Sequence, residues 1–223
     1  MKKKLVLALM VTLIMSSFVA CGKSKEETKN DTNNKEVVEN VAPTSIGKWS
    51  IDYTKDEVDA LNKDIVKAVK SRTEVYGLKY DIIEKAGEDK GRTVKEEYIY
   101  TDNVNPEPNR LASMYYGYKV FEENLSSGQL TMKIGFNLDK EKIKENGKFD
   151  FAETSIAAYS EAFTGEEGRD YSELNKKLYS IISGESTEKS IENDIDGLKE
   201  TILITDDYLL YILDTKEYQF AIK

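Results

Sequence analysis

Apolar residues along this chain switch between two periods, and the switches mark out its elements. From about Lys55 to Val75, apolar positions Val58, Leu61, Ile65 and Val69, continued by Tyr76, recur at helical spacing, with lysines and acids on the other face. Thr54 followed by Glu57 makes a capping box, and Tyr53 with Val58 fits a hydrophobic staple, so side chains satisfy the free N–H groups at this helix start. After Gly77 the period drops to two. Tyr76, Leu78, Tyr80 and Ile82 alternate with Lys79, Asp81 and Ile83, AGEDKG supplies a turn, and Val94, Tyr98 and Tyr100 resume the alternation. Beyond the proline loop DNVNPEPNR come strands at Leu111 to Phe121 and Gln129 to Leu138, the second with Leu130, Met132, Ile134, Phe136 and Leu138 on one face. The four strands read as an antiparallel meander.

The helical period returns near Phe151 to Phe163 and from Tyr171 to Ser183, the second helix starting at the cap pair Asp170 and Glu173 and stopping at Gly184. Leu198 to Thr205, Tyr208 to Leu213 and Tyr218 to Ile222 then predict a three-stranded meander, turned at Asp206-Asp207 and at Asp214 to Glu217. The resulting class is α+β, antiparallel sheet packed by helices in the order α-ββββ-αα-βββ. It reads as an approximate helix-then-sheet duplication without a residue-level repeat, and one sheet or two both fit it. Prolines occur only at Pro43, Pro106 and Pro108, so no linker divides residues 46–223, and their length suits one domain.

The first twenty residues have a basic start at Lys2, Lys3 and Lys4, an apolar stretch from Leu5 to Met15 and a small-residue end, the three parts of an export signal. The apolar run falls short of the roughly 20 residues a spanning helix needs. Its end, Phe18-Val19-Ala20-Cys21-Gly22, resembles the lipobox of bacterial lipoproteins. That resemblance implies diacylglyceryl transfer to Cys21, cleavage before it, and a lipid anchor on the outer face of the cell membrane. Phe18 departs from the leucine usual at its position, and it also breaks the A-x-A-like rule of ordinary secretory cleavage, which favours the lipid route. Cys21 is the chain's single cysteine and can form no internal disulfide. Two or three acyl chains on it hold firmly where one binds only reversibly. Residues 21–45 continue as a run of Lys, Glu, Asn and Thr without period, which predicts a disordered tether.

Charge narrows the partners. Removing residues 1–20 removes three lysines and no acid from 32 basic and 41 acidic residues, so the formal charge moves from −9 to −12. Binding to nucleic acid rests on clustered cations, and an acidic domain of this kind excludes it. Chemistry narrows further by absence. There is no histidine, which removes the commonest general base and metal ligand, and lipid on Cys21 removes thiol catalysis and cysteine-bound zinc.

Carboxylates remain, and an acid-pair hydrolase acting on wall glycan is one alternative, needing two carboxyls about 5 to 9.5 Å apart in a cleft. A small-ligand-binding lipoprotein is another; a transporter's solute receptor would call for two lobes. Glu192-Asn193-Asp194-Ile195-Asp196-Gly197 resembles the start of an EF-hand loop, but Leu203 stands where the closing glutamate belongs. A polar turn is the simpler reading, and no metal or cofactor is assigned.

Among the tyrosines, parity groups Tyr98 and Tyr100 with Val94, and Tyr116 and Tyr118 with Met114 and Val120, as core. Tyr115 and the Pro106 to Pro108 loop remain as the candidate binding surface. The expectation is a non-catalytic, membrane-anchored domain that binds a protein or envelope component. Cells fed a palmitate analogue should label the wild-type chain and retain it in the membrane, and Cys21→Ala should lose both; unchanged labelling refutes the anchor.

Overall fold

The computed structural model describes residues 47–121 and 127–220; the export signal, Cys21 and the tether lie outside them. Among the described residues, four α-helices accompany one antiparallel sheet of eight strands, which gives the α+β class with one sheet rather than two. Helix α1 (Lys55–Val75) is followed by β1 (Asp81–Asp89), β2 (Arg92–Asp102), β3 (Arg110–Phe121) and β4 (Ser127–Asn137). Then come α2 (Lys140–Asn146), a short 3-10 turn at Phe151–Glu153, α3 (Ser155–Thr164) and α4 (Ser172–Ser183). Strands β5 (Ser190–Ile195), β6 (Leu198–Ile204), β7 (Tyr208–Asp214) and β8 (Tyr218–Gln219) close the chain. The sheet order is β1-β2-β3-β4-β7-β6-β5, with β8 against β4. Each half of the sheet thus runs from its own edge to the centre.

The start of α1 is as its residues dictate: the Thr54 hydroxyl accepts from Glu57 N–H while the Glu57 carboxylate accepts from Thr54 N–H. Val58, Asn62, Ile65, Val69 and Thr73 form its buried seam. At the sheet they meet Tyr116, whose hydroxyl donates to Asn62 at 2.8 Å, and Tyr118, whose hydroxyl donates to Asp59 at 2.8 Å. Helix α3 is linked to the same layer, because Tyr159 and Thr73 share a hydroxyl contact of 2.9 Å and Ser160 meets Tyr211 at 2.9 Å. Ile99 of β2, Met114 of β3, Leu130 to Phe136 at alternate positions of β4, Leu209 and Leu213 of β7, and Ile202 of β6 complete a continuous buried surface.

Four local expectations change. The alternation from Tyr76 to Ile83 does not mark the first strand: β1 begins at Asp81 and runs on through Ala86 to Asp89, so the turn expected over AGEDKG shrinks to Lys90 (φ 52°) and Gly91 (φ 79°). The run from Glu192 to Gly197 belongs to a β-hairpin, not to a turn leading into a strand. Asp196 (φ 57°) and Gly197 (φ 89°) are the two left-handed residues that a tight primed turn between β5 and β6 requires. The expected hairpin at Asp214 to Glu217 is absent. β7 pairs with β4 from Tyr208 to Asp214, and β8 continues along β4 in the same direction with the register shifted by one residue, so the two are one bulged strand. Helix α2 was not foreseen, since Ile143 is its single buried residue and it carries almost no apolar period; Asp139 caps its start and Gly147 (φ 69°) ends it.

A buried ion pair ties the segment before α4 to the sheet. The Arg169 guanidinium grips Glu200 of β6 with two bonds of 2.7 and 3.0 Å, and the same carboxylate accepts from Asn193 at 2.7 Å and from Tyr211 at 2.7 Å. Glu200 is fully buried. Burial pushes its pKa up, but the bonds from Arg169 and Asn193 outweigh this and hold it below its ordinary 4.5. A depressed carboxylate pKa stabilises the fold above the unfolded value, and the contribution is lost as pH falls through the folded one.

Arg169→Met leaves that carboxylate without its cation and should cost about 3–5 kcal/mol in urea unfolding. The double change Arg169→Met with Glu200→Gln should recover much of it and flatten the acid limb of stability against pH. Equal losses in both variants would show that packing, not the charge, holds the segment.

Candidate functional site

Strand pairing carries one face of the sheet across seven strands with no described helix upon it. One row reads Ile83, Tyr98, Gly117, Thr131, Asp214, Lys199 and Asp194; the next reads Asp81, Tyr100, Tyr115, Lys133, Ile212, Thr201 and Glu192. A third runs Asp102, Ser113, Gly135, Leu210, Leu203 and Ser190. Residues of the opposite parity, Tyr116, Tyr118 and Tyr211 among them, are those that meet α1 and α3. The sheet is therefore covered on one side only.

The uncovered side is not a plain polar surface. β7 reads Tyr208-Leu209-Leu210-Tyr211-Ile212-Leu213, so Leu210 and Ile212 turn large apolar side chains away from the helices. An antiparallel strand solvated on one face normally alternates apolar with polar. Two tyrosines lie flat along the sheet where glycine makes room. A Cβ on Gly117 would collide with the Tyr115 ring, and one on Gly135 with the Tyr208 ring. Tyr98 stands 5.4 Å from Tyr115, centroid to centroid, tilted by 34°. Neither glycine has a positive φ, so close approach alone demands them.

Charges on this face are mostly spent on each other. Lys85 pairs with Glu96 at 2.7 Å, Lys119 with Asp89 at 2.9 Å and Lys199 with Glu192 at 3.3 Å. Arg92 makes two bonds to Glu217, at 2.7 and 2.8 Å, and Ser127 adds a third at 2.7 Å. The Arg92 bonds hold Glu217 down to about 2. Tyr115 donates its hydroxyl to Glu96, and burial, with that carboxylate beside it, pushes the phenol far above its ordinary value.

Lys133 differs. Among the described residues no carboxylate stands at ion-pair distance; its ammonium lies 5.5 Å from the Tyr115 ring centroid, and burial lowers its pKa against the pull of Asp214. The centre of the face is thus aromatic and aliphatic around one half-buried lysine, and the fixed ion pairs lie beside it, toward the β1–β2 turn and on β5–β6.

The residues expected to form one surface are separated. Tyr115 lies mid-sheet and is half-buried, not free. Pro106 and Pro108 sit in the β2–β3 loop at the sheet end, where Asn137 donates to the Pro106 carbonyl at 3.2 Å. Pro108 lines a different, shallow cleft with Lys140, Ile181 and Asp206. The acids of that cleft are engaged: Asp139 caps α2, Glu141 pairs with Lys144, and Asp206 with Lys140.

Tyr98 and Tyr100, expected in the core, instead share the uncovered face with Tyr115, while Tyr116 and Tyr118 are core as their parity implied. Val94 misled here. It is buried, but on the helix-free side, opposite Phe121. Ile83, Lys133, Tyr208, Leu210 and Ile212 also belong to this face, and the two-sided apolar pattern of β7 is the sequence signal for it.

Among the described residues no three acids or cysteines gather closely enough to hold a metal ion, and no helix is long and apolar enough to cross a membrane. The chain matches no protein-family model, no curated protein and no solved structure.

Removing the Tyr115 hydroxyl leaves the buried Glu96 carboxylate with Lys85 alone. Tyr115→Phe should therefore lower the unfolding free energy by about 1–2 kcal/mol in urea melts. No change would mean that Lys85 and water satisfy Glu96 unaided.

Proposed function

We propose that the protein is a membrane-anchored, non-catalytic binding protein of the cell exterior, and that the helix-free face of its sheet receives a protein partner. The face itself carries the reading: a broad surface with an aromatic and aliphatic centre at Tyr98, Tyr100, Tyr115, Leu210 and Ile212, flanked on two sides by ion pairs. Protein interfaces concentrate tyrosine and apolar residues at a desolvated centre and keep charge at the rim. A small charged ligand would call for convergent unpaired groups in a concavity, and here the cations other than Lys133 are already matched. The lipobox-like end at Cys21 supplies the location, and a tether of roughly 24 residues, spanning on the order of 25 to 30 Å as a flexible coil, would let the face turn toward a neighbour.

A photo-reactive phenylalanine analogue at Leu203, which is exposed on this face, tests the reading in the intact cell. Irradiation should give a discrete adduct whose added mass differs from that of the chain itself. The same analogue at Lys176 on the solvent side of α4 should give none. Adducts from Lys176 alone, or none from either position, would contradict the proposal.

A further inference from the structure

The two edges of the sheet are unlike. β5, at one edge, is six residues long and turns Glu192 and Asp194 outward, the charged guard that discourages strand addition. β1, at the other, runs nine residues with eight exposed, and it bears Ile82 at 47% and Ile83 at 37% exposure. Val75 (74%) and Tyr76 (43%) precede it in the chain at the end of α1, where the Tyr76 ring meets Tyr159 of α3. β1 also carries charge, at Asp81, Glu84, Lys85, Glu88 and Asp89, but its length and its two exposed isoleucines leave an unpaired edge that can template another strand wherever those charges find opposite partners.

We infer that the strand it takes is β1 of a second copy, joined antiparallel across a twofold axis perpendicular to the sheet. Such an axis keeps both helix layers on one side. It also sets residues of the same face opposite each other, so it must pass beside one residue that faces its own copy.

Charge selects among the choices. An axis at Glu84 opposes two glutamates, one at Lys85 opposes two lysines, and one at Ala86 sets Glu84 against the partner's Glu88. At Gly87 the pairing of Lys85 with the partner's Asp89 competes with bonds that both already make, to Glu96 and Lys119, and leaves the isoleucines unmatched. At Ile83 the isoleucines are matched, and although Lys85 keeps its bond to Glu96 there too, the acid brought to it is one that no cation among the described residues already holds. Ile83 packs on the partner's Ile83, and Asp81, which makes no ion pair among the described residues, faces the partner's Lys85 twice over. Ile82 lies beside the stem of the partner's Glu84. Opposite charges across strands are favourable and like charges are not. The two helix-free faces then become one surface.

Cysteine pairing reads this register. In the full chain carrying Cys21→Ser, Ile83→Cys should oxidise to a disulfide dimer on a non-reducing gel. The double variant Asp81→Cys with Lys85→Cys should also cross-link between copies, because residues four apart on one strand cannot bridge within it. Either of those singly should stay monomeric. By sedimentation equilibrium in detergent, the wild-type chain should have twice the monomer mass, and Ile83→Lys, at an exposed position, should return it to one. A wild-type monomer at tens of micromolar, or equal cross-linking from the single variants, overturns the inference. Neither outcome bears on the Leu203 adduct, whose mass identifies a different protein.

Discussion

A sheet with helices on one side must hold its other side in water without a second layer, and this constraint shapes most of the molecule. On the covered side the arrangement is conventional: alternate residues of β3, β4 and β7 meet α1 and α3, and buried hydroxyls of Tyr116, Tyr118 and Tyr211 find partners on helices or on Glu200. On the bare side, glycine at 117 and 135 lets tyrosine rings lie down along the strands and shield them. Lysine, arginine and acid side chains then tie strands together, across a neighbour in the case of Lys119 and Asp89. Such surface pairs contribute little to stability one by one. Their larger effect is to leave most cations of the face already held beside an aromatic centre, the character the proposed docking surface needs.

The Arg169–Glu200 pair shows the opposite economy. A fully buried carboxylate with four donors upon it is costly to desolvate, and replacing the pair by apolar residues is often neutral. Its value here is positional. It fixes the segment leading into α4 against β6 and fills the hydrogen-bonding needs of Tyr211 and Asn193 at the same time.

Helix α1 was legible down to its capping box, because local side chains alone set where it starts. Strands β2 to β4 were legible too, since period two needs no knowledge of the neighbours; β1 was not, because the alternation from Tyr76 to Ile83 falls mostly before it and Ala86 to Asp89 of the expected turn are strand. Faces were harder. Parity says that Tyr98 and Tyr100 share a side with Val94, but which side the helices cover depends on the tertiary arrangement, and burial of Val94 under Phe121 on the bare side reversed the reading. β5 was hidden because Glu192, Asn193 and Asp194 have no apolar alternation, even though Asp196-Gly197 is a strong hairpin signal. The bulge that merges β7 with β8 left no mark in a polar stretch that reads as a turn.

The central claim is that the bare face is occupied where the protein works. Lysine acetylation by a water-soluble reagent, compared between intact cells and the purified protein, tests it directly. Lys199 on the face and Lys176 on α4 both have well-exposed ammonium groups. Slower modification of Lys199 in cells, with Lys176 unchanged, is the predicted result. Equal rates for Lys199 in both settings would contradict it.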